Sequence, residues 1–399
     1  MKKVYVVGTC DTKYEDLSYV KSIIKGNGLE AVIVDVGSKE PGGPVDVSNR
    51  DVAACHPAGG GFIDGIDDRG RFIELISESL EAYFKKIENE VGGVIGLGGS
   101  GGTSLVTSGM RVLPIGIPKL MVSTVASSDV APYVGPNDIT MMYSVTDVAG
   151  INRISARVLG NAANAISGMV KFTIPETGSS KPAIGLTMFG VTTPCVEAVK
   201  GKLEDKYDCL VFHATGTGGQ SMEKLLESGM FAGAIDITTT EVCDLLMGGV
   251  FSAGEDRFGA VIRSKLPYVG SVGALDMVNF HAMDTVPEKY KKRNLYVHNP
   301  QVTLMRTTPE ENKKMGGWIA AKLNQCEGEV RFLIPEKGVS LIDAQGQPFY
   351  DPEADKALFD ALEKNIKQTD KRKIIKLPYN INDPEFAEAV VKEFLGIIG

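Results

Sequence analysis

Lys3-Val4-Tyr5-Val6-Val7-Gly8-Thr9-Cys10-Asp11-Thr12 is a β-rich run that stops at a glycine and passes straight into a polar turn. Leu17, Val20 and Ile24 follow at spacings of three and four, which puts one apolar stripe on a helix. Thr12-x-x-Glu15 has the spacing of a capping box at its start. Gly26 and Gly28 end the helix, and Ala31-Val32-Ile33-Val34-Asp35-Val36 reads as a second strand. Strand, helix and strand in so short a stretch require a parallel crossover.

The alternation continues outward from there. Ile73, Ile76, Leu80, Phe84 and Ile87 share a helix face, and Val94-Ile95-Gly96-Leu97 and Leu120-Met121-Val122-Ser123 read as strands. Between them the Gly- and Pro-rich stretch 37–65 is too long for a plain connection, which suggests a functional flap or an oligomer contact. The segment 148–170 is amphipathic and rich in small residues (Ala156, Gly160, Ala162, Ala163, Ala165, Gly168), the composition of a helix packed closely on another lobe or subunit. Glu176 to Pro182 has the character of a linker. The pattern then restarts with a strand from Ala183 to Phe189 and a helix opened by Thr193-Pro194, with Val196, Val199 and Leu203 as its stripe. Later helices begin at Thr308-Pro309-x-Glu311 and Asp383-Pro384, and strands fall at 330–334 and 374–377. The predicted fold class is α/β: two Rossmann-like, doubly wound lobes with parallel sheets and an interlobe cleft. The first lobe is placed at 1–175, the linker at 176–182 and the second lobe at 183–399.

Composition narrows the function. Of 399 residues 43% are apolar, enough for sizeable cores, and the net charge of −8 disfavours nucleic acid or an anionic membrane as a partner. No stretch approaches the ~18 consecutive apolar residues of a membrane helix. Six scattered cysteines without a C-x-x-C pair argue for a reducing cytoplasm and against a disulfide framework. Four histidines without ligand spacing give no metal site made by protein alone.

Two loops share a pattern that carries chemistry. Gly99-Ser100-Gly101-Gly102-Thr103-Ser104 follows the strand at 94–97, and Gly216-Thr217-Gly218-Gly219-Gln220-Ser221 follows Leu210-Val211-Phe212-His213. A strand, a Gly/hydroxyl loop and a helix start make an anion site, because glycine lets the backbone approach a phosphate and the first helical N–H groups face it. Tight strand-to-helix turns would use the same residues. The loops lack the lysine of a Walker motif, and Ser104 and Ser221 replace the last glycine of the dinucleotide fingerprint. Gly98-x-Ser100-x-Gly102 also matches a nucleophile elbow, so a serine hydrolase is an alternative. The first turn adds Gly8, Thr9, Asp11, Thr12 and Lys13 at a strand's carboxyl end. There the threonines would donate to phosphate, Lys13 would neutralise it and Asp11 would hold a hydrated Mg2+. Asp35 stands where such folds often hold a ribose hydroxyl, or simply opens a turn. In the second lobe Asp276, His281 and His298 are candidate acid–base catalysts, with Asn299 and Arg306 nearby in sequence.

Val7-Gly8-Thr9-Cys10-Asp11-Thr12-Lys13, Gly98-Gly99-Ser100-Gly101-Gly102-Thr103, Gly273-Ala274-Leu275-Asp276-Met277-Val278-Asn279-Phe280 and His298-Asn299-Pro300 together resemble one family over nearly the whole chain. It is the largely uncharacterised bacterial and fungal family whose plant members contain the N-terminal domain of the tomato mosaic virus resistance protein. The resemblance implies a two-lobe Rossmann-like fold, ATP binding and self-association as a homodimer. It does not extend to the antiviral role of the plant proteins. The leading expectation is an ATP-Mg2+ binding protein serving small-molecule metabolism. The alternatives are an enzyme with hydrolase- or lyase-type chemistry on a phosphorylated or carboxylated metabolite, and a nucleotide-ordered scaffold or inhibitor.

Overall fold

The computed structural model describes residues 2–66, 68–172 and 181–399. The chain divides into two compact units, Met1–Thr177 and Gly178–Gly399. The stretch 176–180 of the expected linker lies outside the described residues.

The first unit runs β1 (Lys3–Gly8), α1 (Cys10–Gly26), β2 (Ala31–Asp35), α2 (Asn49–Ala53), α3 (Arg69–Ile87), β3 (Val91–Gly98), α4 (Ser100–Val112), β4 (Lys119–Ser123), α5 (Ala131–Val134), β5 (Thr140–Tyr143) and α6 (Arg153–Lys171). Its sheet is parallel throughout, in the order β2-β1-β3-β4-β5. Both faces are covered, which is why β1 reads as a continuous apolar run rather than an alternating one. Val4 and Val6 pack with Leu17, Val20 and Ile24 of α1 and Leu159, Ala162 and Ile166 of α6. Tyr5 and Val7 pack on the opposite face with Ile76, Leu80 and Phe84 of α3 and Val106 and Met110 of α4. The strand order reverses between β1 and β3, so the crevice at their carboxyl ends is the topological switch point of this sheet.

Three local expectations change. Helix α1 starts at Cys10 and kinks at Lys13, so Thr12 meets Thr9 hydroxyl to hydroxyl at 3.0 Å instead of forming a capping box with Glu15. Helix α6 starts only at Arg153, where Asn152 and Ser155 form a true capping box. Its small residues serve packing within the unit: Ala162 and Ala163 are buried against α1, and the Tyr19 hydroxyl donates to the Ala156 carbonyl at 3.1 Å. The stretch 37–65 is likewise tied down, with Val52 and Ala53 of α2 in the core and the Asn49 side chain donating to the Gly37 carbonyl.

The second unit holds β6 (Ala183–Met188), α7 (Thr193–Leu203), β7 (Asp208–His213), α8 (Thr217–Glu227), β8 (Gly233–Thr238), α9 (Glu241–Met247), α10 (Gly259–Ser264), β9 (Tyr268–Gly273), β10 (Met277–Phe280), β11 (Leu295–Asn299), β12 (Val302–Arg306), α11 (Pro309–Leu323), β13 (Val330–Pro335), α12 (Pro352–Asn365), β14 (Arg372–Leu377) and α13 (Pro384–Leu395). Six strands form a parallel sheet in the order β14-β13-β9-β8-β6-β7. An added antiparallel sheet, β10-β12-β11, has no counterpart in the sequence reading. The two lobes therefore share a doubly wound plan but not the placement of their glycine loops. The first loop follows β3, at the switch point; the second follows β7, at the sheet edge.

Candidate functional site in the first unit and polar clusters in the second

A cavity of about 340 Å³ opens at the carboxyl ends of β1 and β3. It joins Thr9, Asp11 and Thr12 of the first turn to Gly101 and Gly102 of the first glycine loop. Ser38, Lys39 and Arg69 supply the remaining polar lining, and Val36, Ile66, Phe72, Ile73 and Leu105 the apolar wall. No side chain caps the N-terminus of α4 and its first turn holds no acid, so that helix start presents its positive end to the cavity, whereas the Cys10 amide that opens α1 donates to Asp35. Lys39 and Arg69 came from stretches that carried no motif, and only the fold brings them here.

The other expected contacts are structural. Gly8 is a close approach, where a Cβ would lie 3.2 Å from the Leu97 carbonyl oxygen. The Thr103 hydroxyl is buried between the Gly99 carbonyl (2.7 Å) and Ser123 Oγ (2.6 Å). Ser100 is exposed and makes no hydrogen bond with a histidine among the described residues, which leaves an elbow nucleophile without its base. Lys13 Nζ donates to the Val148 carbonyl and does not line the cavity. Asp35 is a strut: its Oδ1 accepts from the amides of Cys10 (2.9 Å) and Gly37 (2.8 Å). Burial pushes its carboxyl up, those two amides pull it down, and Asp11 beside it pushes up again. The Cys10 thiol is held neutral by burial and by Asp35.

Asp11 is the one acidic group in the cavity lining, and its Oδ1 is buried without a partner. No group of three potential ligands occurs among the described residues. A single carboxylate fits Mg2+ that arrives on phosphates and keeps most of its waters, and it does not fit a resident ion.

The second glycine loop is filled by the chain itself. Glu241 Oε1 accepts from the amides of Gly216 (2.8 Å) and Gly219 (3.1 Å), where a phosphate oxygen would otherwise sit. Its Oε2 accepts from Arg257 Nε at 2.8 Å, and Arg257 also binds Glu223 (2.7 Å) and Asp236 (2.8 Å). The Tyr268 hydroxyl and Thr187 Oγ1 complete the shell of Asp236 at 2.8 and 2.6 Å. Burial pulls the Arg257 guanidinium down, but the three carboxylates outweigh it and keep it charged. Thr217 is exposed at the start of α8, and Gly218 lies so close to the His213 carbonyl that no Cβ fits.

Asp276, His281 and His298 are joined by no hydrogen bond. Asp276 is fully buried, accepts from Ser340 Oγ at 2.8 Å and is pushed up to about 6 by burial against the pull of Arg306. His281 is exposed. His298 is the next-to-last residue of β11, in the small antiparallel sheet and not the parallel one. The charged groups that act on Asp276 are instead Arg306 and the acids Asp343 and Asp355, which share that guanidinium at 3.1 and 2.8 Å. Burial, then Asp276 and Asp355, push Asp343 up to about 9. These acids hold protons in the folded state that the unfolded chain releases near pH ~4. Their share of stability is therefore intact below ~pH 4 and falls as pH rises toward about 9. The urea midpoint read from Trp318 fluorescence is expected to drop between pH 5 and pH 9. Asp343→Asn, an amide mimic of the protonated acid, is expected to flatten that slope; an unchanged slope would remove Asp343 as its source.

The Uncharacterised protein family (UPF0261) N-terminal domain matches residues 2–175, and the C-terminal domain of the same family matches residues 181–398. A UPF0261 protein of Rhizobium meliloti is 58% identical over 397 residues, covering 100% of this chain and 99% of that one. One from Clostridium tetani is 48% identical over 100% of this chain and 99% of its own. The ToMV resistance protein Tm-1(GCR237) of Solanum lycopersicum is 44% identical over 99% of this chain, which spans 56% of the tomato protein. The chain belongs to the UPF0261 family.

Proposed function

We propose that the first unit binds ATP with Mg2+, or a ligand of the same phosphorylated chemistry, in the crevice at the carboxyl ends of β1 and β3. One observation carries this reading. A single cavity joins the first turn and the glycine loop, some ninety residues apart in sequence, and adds two cations and the uncapped start of α4. Phosphates would lie over Gly101 and Gly102, within reach of Thr9, Thr12, Lys39 and Arg69, and Asp11 would meet the metal through water. The apolar wall around Phe72 and Ile73 suits a base. The Glu241-filled loop of the second unit is left out of this assignment.

A reducing cytoplasm fits six unpaired cysteines, and among the described residues no helix is long and apolar enough to cross a membrane. A homodimer is the state proposed for the chain, with the exposed Tyr143 and Val145 beside the edge strand β5 as its starting surface. Small-molecule metabolism is the setting that a phosphorylated-ligand site suits.

Thermal-shift and calorimetric titration with ATP, with and without Mg2+, test the assignment, with sugar phosphates as comparators. A Mg2+-dependent rise in melting temperature is expected with ATP. Arg69→Gln and Lys39→Gln are each expected to weaken binding about tenfold, the cost of a lost charge-assisted contact. No response to any phosphorylated ligand would sink the reading.

A further inference from the structure

A second cavity, of about 280 Å³, lies wholly within the second unit. His213 ends β7 and His298 is the next-to-last residue of β11, so the edge strand of the parallel sheet and the small antiparallel sheet each bring one imidazole to it. His213 packs on Phe189 with ring centroids 5.5 Å apart, and Phe189 packs in turn on Phe251 at 6.3 Å. Val191, Val302 and Leu304 complete an apolar wall. Both imidazoles are exposed and neither makes a side-chain hydrogen bond among the described residues, so their ring nitrogens are open to a ligand that displaces water. Asn299 at the rim accepts from the Gln301 amide through Oδ1, which leaves its NH2 group to donate.

We propose that this cavity is a binding site for a small monocarboxylate with an apolar body, its carboxylate held between His213 and His298. The lining decides the ligand class. No lysine or arginine is present, so a phosphate dianion would give up more hydration than two imidazoles return. No aspartate or glutamate is present either, so a single negative charge meets no repulsion. Two histidines fall short of a protein-held metal, and no third ligand joins them among the described residues. The aromatic and aliphatic wall takes the rest of the molecule out of water. The place is also where open α/β sheets bind ligands, outside the carboxyl ends of their strands.

The chain has four histidines, His56, His213, His281 and His298, so side-chain NMR of ring-labelled histidine resolves the site directly. Benzoate and 3-methylbutyrate are the probes, with benzyl alcohol and inorganic phosphate as controls, all at millimolar concentration. The ring signals of His213 and His298 are expected to shift together and saturate with both carboxylates, while those of His56 and His281 stay fixed. His213→Gln and His298→Gln are each expected to weaken binding about tenfold. Three results would overturn the proposal: no saturable shift, equal binding of benzyl alcohol, or preference for phosphate. The lining lies wholly in the second unit, so the variant Gly101→Val with Gly102→Val, a test of the ATP reading in the first unit, is expected to bind benzoate normally.

Discussion

Arg257→Met is expected to cost the second unit about 4 kcal/mol, because it leaves three carboxylates buried around a side chain that can neutralise none of them. Glu223, Asp236 and Glu241 each touch Arg257 at 2.7 to 2.8 Å, and the guanidinium is the shared counterion. At the size of this unit that loss corresponds to a fall of roughly 10 °C in its melting temperature. Arg257→Lys is expected to fall between the two, since one ammonium cannot meet three acids in the fork geometry of a guanidinium. The chain carries its own reporter. Its single tryptophan, Trp318 on α11, lies against Phe258 with ring centroids 6.0 Å apart, and the Arg257 guanidinium stacks over that same phenylalanine at 4.9 Å. Urea unfolding followed by Trp318 fluorescence therefore reads the loss where it arises. Adding Glu241→Gln to Arg257→Met is expected to restore part of it, because the amide still accepts from Gly216 and Gly219 and removes one unpaired charge. A midpoint unchanged in Arg257→Met would mean that the acids are neutral and the cluster is not ionic.

The Arg257 cluster also shows what sequence could reveal and what it could not. Strands, helices and the first glycine loop were legible because their signals are local: β1, α1 and β2 declare themselves by spacing and by the glycines that end them. The chain also says that the lobes are doubly wound, but not that β1 lies between β2 and β3. That order is set by packing, and it decides which loop reaches a switch point. The antiparallel sheet was missed because β10 pairs with the distant β12, from Met277 opposite Arg306 to Phe280 opposite Thr303, with no turn signal to announce it, although β11 and β12 are joined by the short turn Pro300-Gln301. The acids around Arg257 did leave a trace. Asp236 sits inside the apolar run Ala234-Ile235-Asp236-Ile237, and a carboxylate inside a buried strand demands a cation somewhere in the fold. Sequence could say that such a cation must exist; only the fold supplies Arg257, and only the fold seats Glu241 in a loop that looked like a phosphate cradle. The histidines divide in the same way: His298 stood out beside Asn299, whereas His213 looked like the end of a strand and only the fold sets it opposite.

Gly101→Val with Gly102→Val is expected to weaken ATP binding at least about a hundredfold, some 3 kcal/mol, while the first unit stays folded. The geometry around each glycine separates these two outcomes. A Cβ at Gly101 would lie 3.3 Å from Ile73 Cδ1 and 3.8 Å from an Arg69 guanidinium nitrogen, both in the cavity lining. One at Gly102 would meet only the Leu97 carbonyl oxygen at 3.8 Å. Neither glycine needs a positive φ, so neither substitution strains the backbone. The added branches occupy the cavity and the approach to the first turn of α4, where a phosphate would have to come close to the backbone. Gly98→Ala would be a poor test, since its Cβ would sit 2.9 Å from the Gly102 carbonyl carbon and push strand and helix apart. The sibling loop offers the contrast. At Gly218 a Cβ would lie 1.8 Å from the His213 carbonyl oxygen, and at Gly219 it would lie 2.1 Å from Glu241 Oε2. Those glycines are small because their own chain fills the space, whereas Gly101 and Gly102 are small beside a space the chain leaves open. If the double valine variant keeps its melting temperature and also its affinity for ATP, that open space has another purpose and the nucleotide assignment fails.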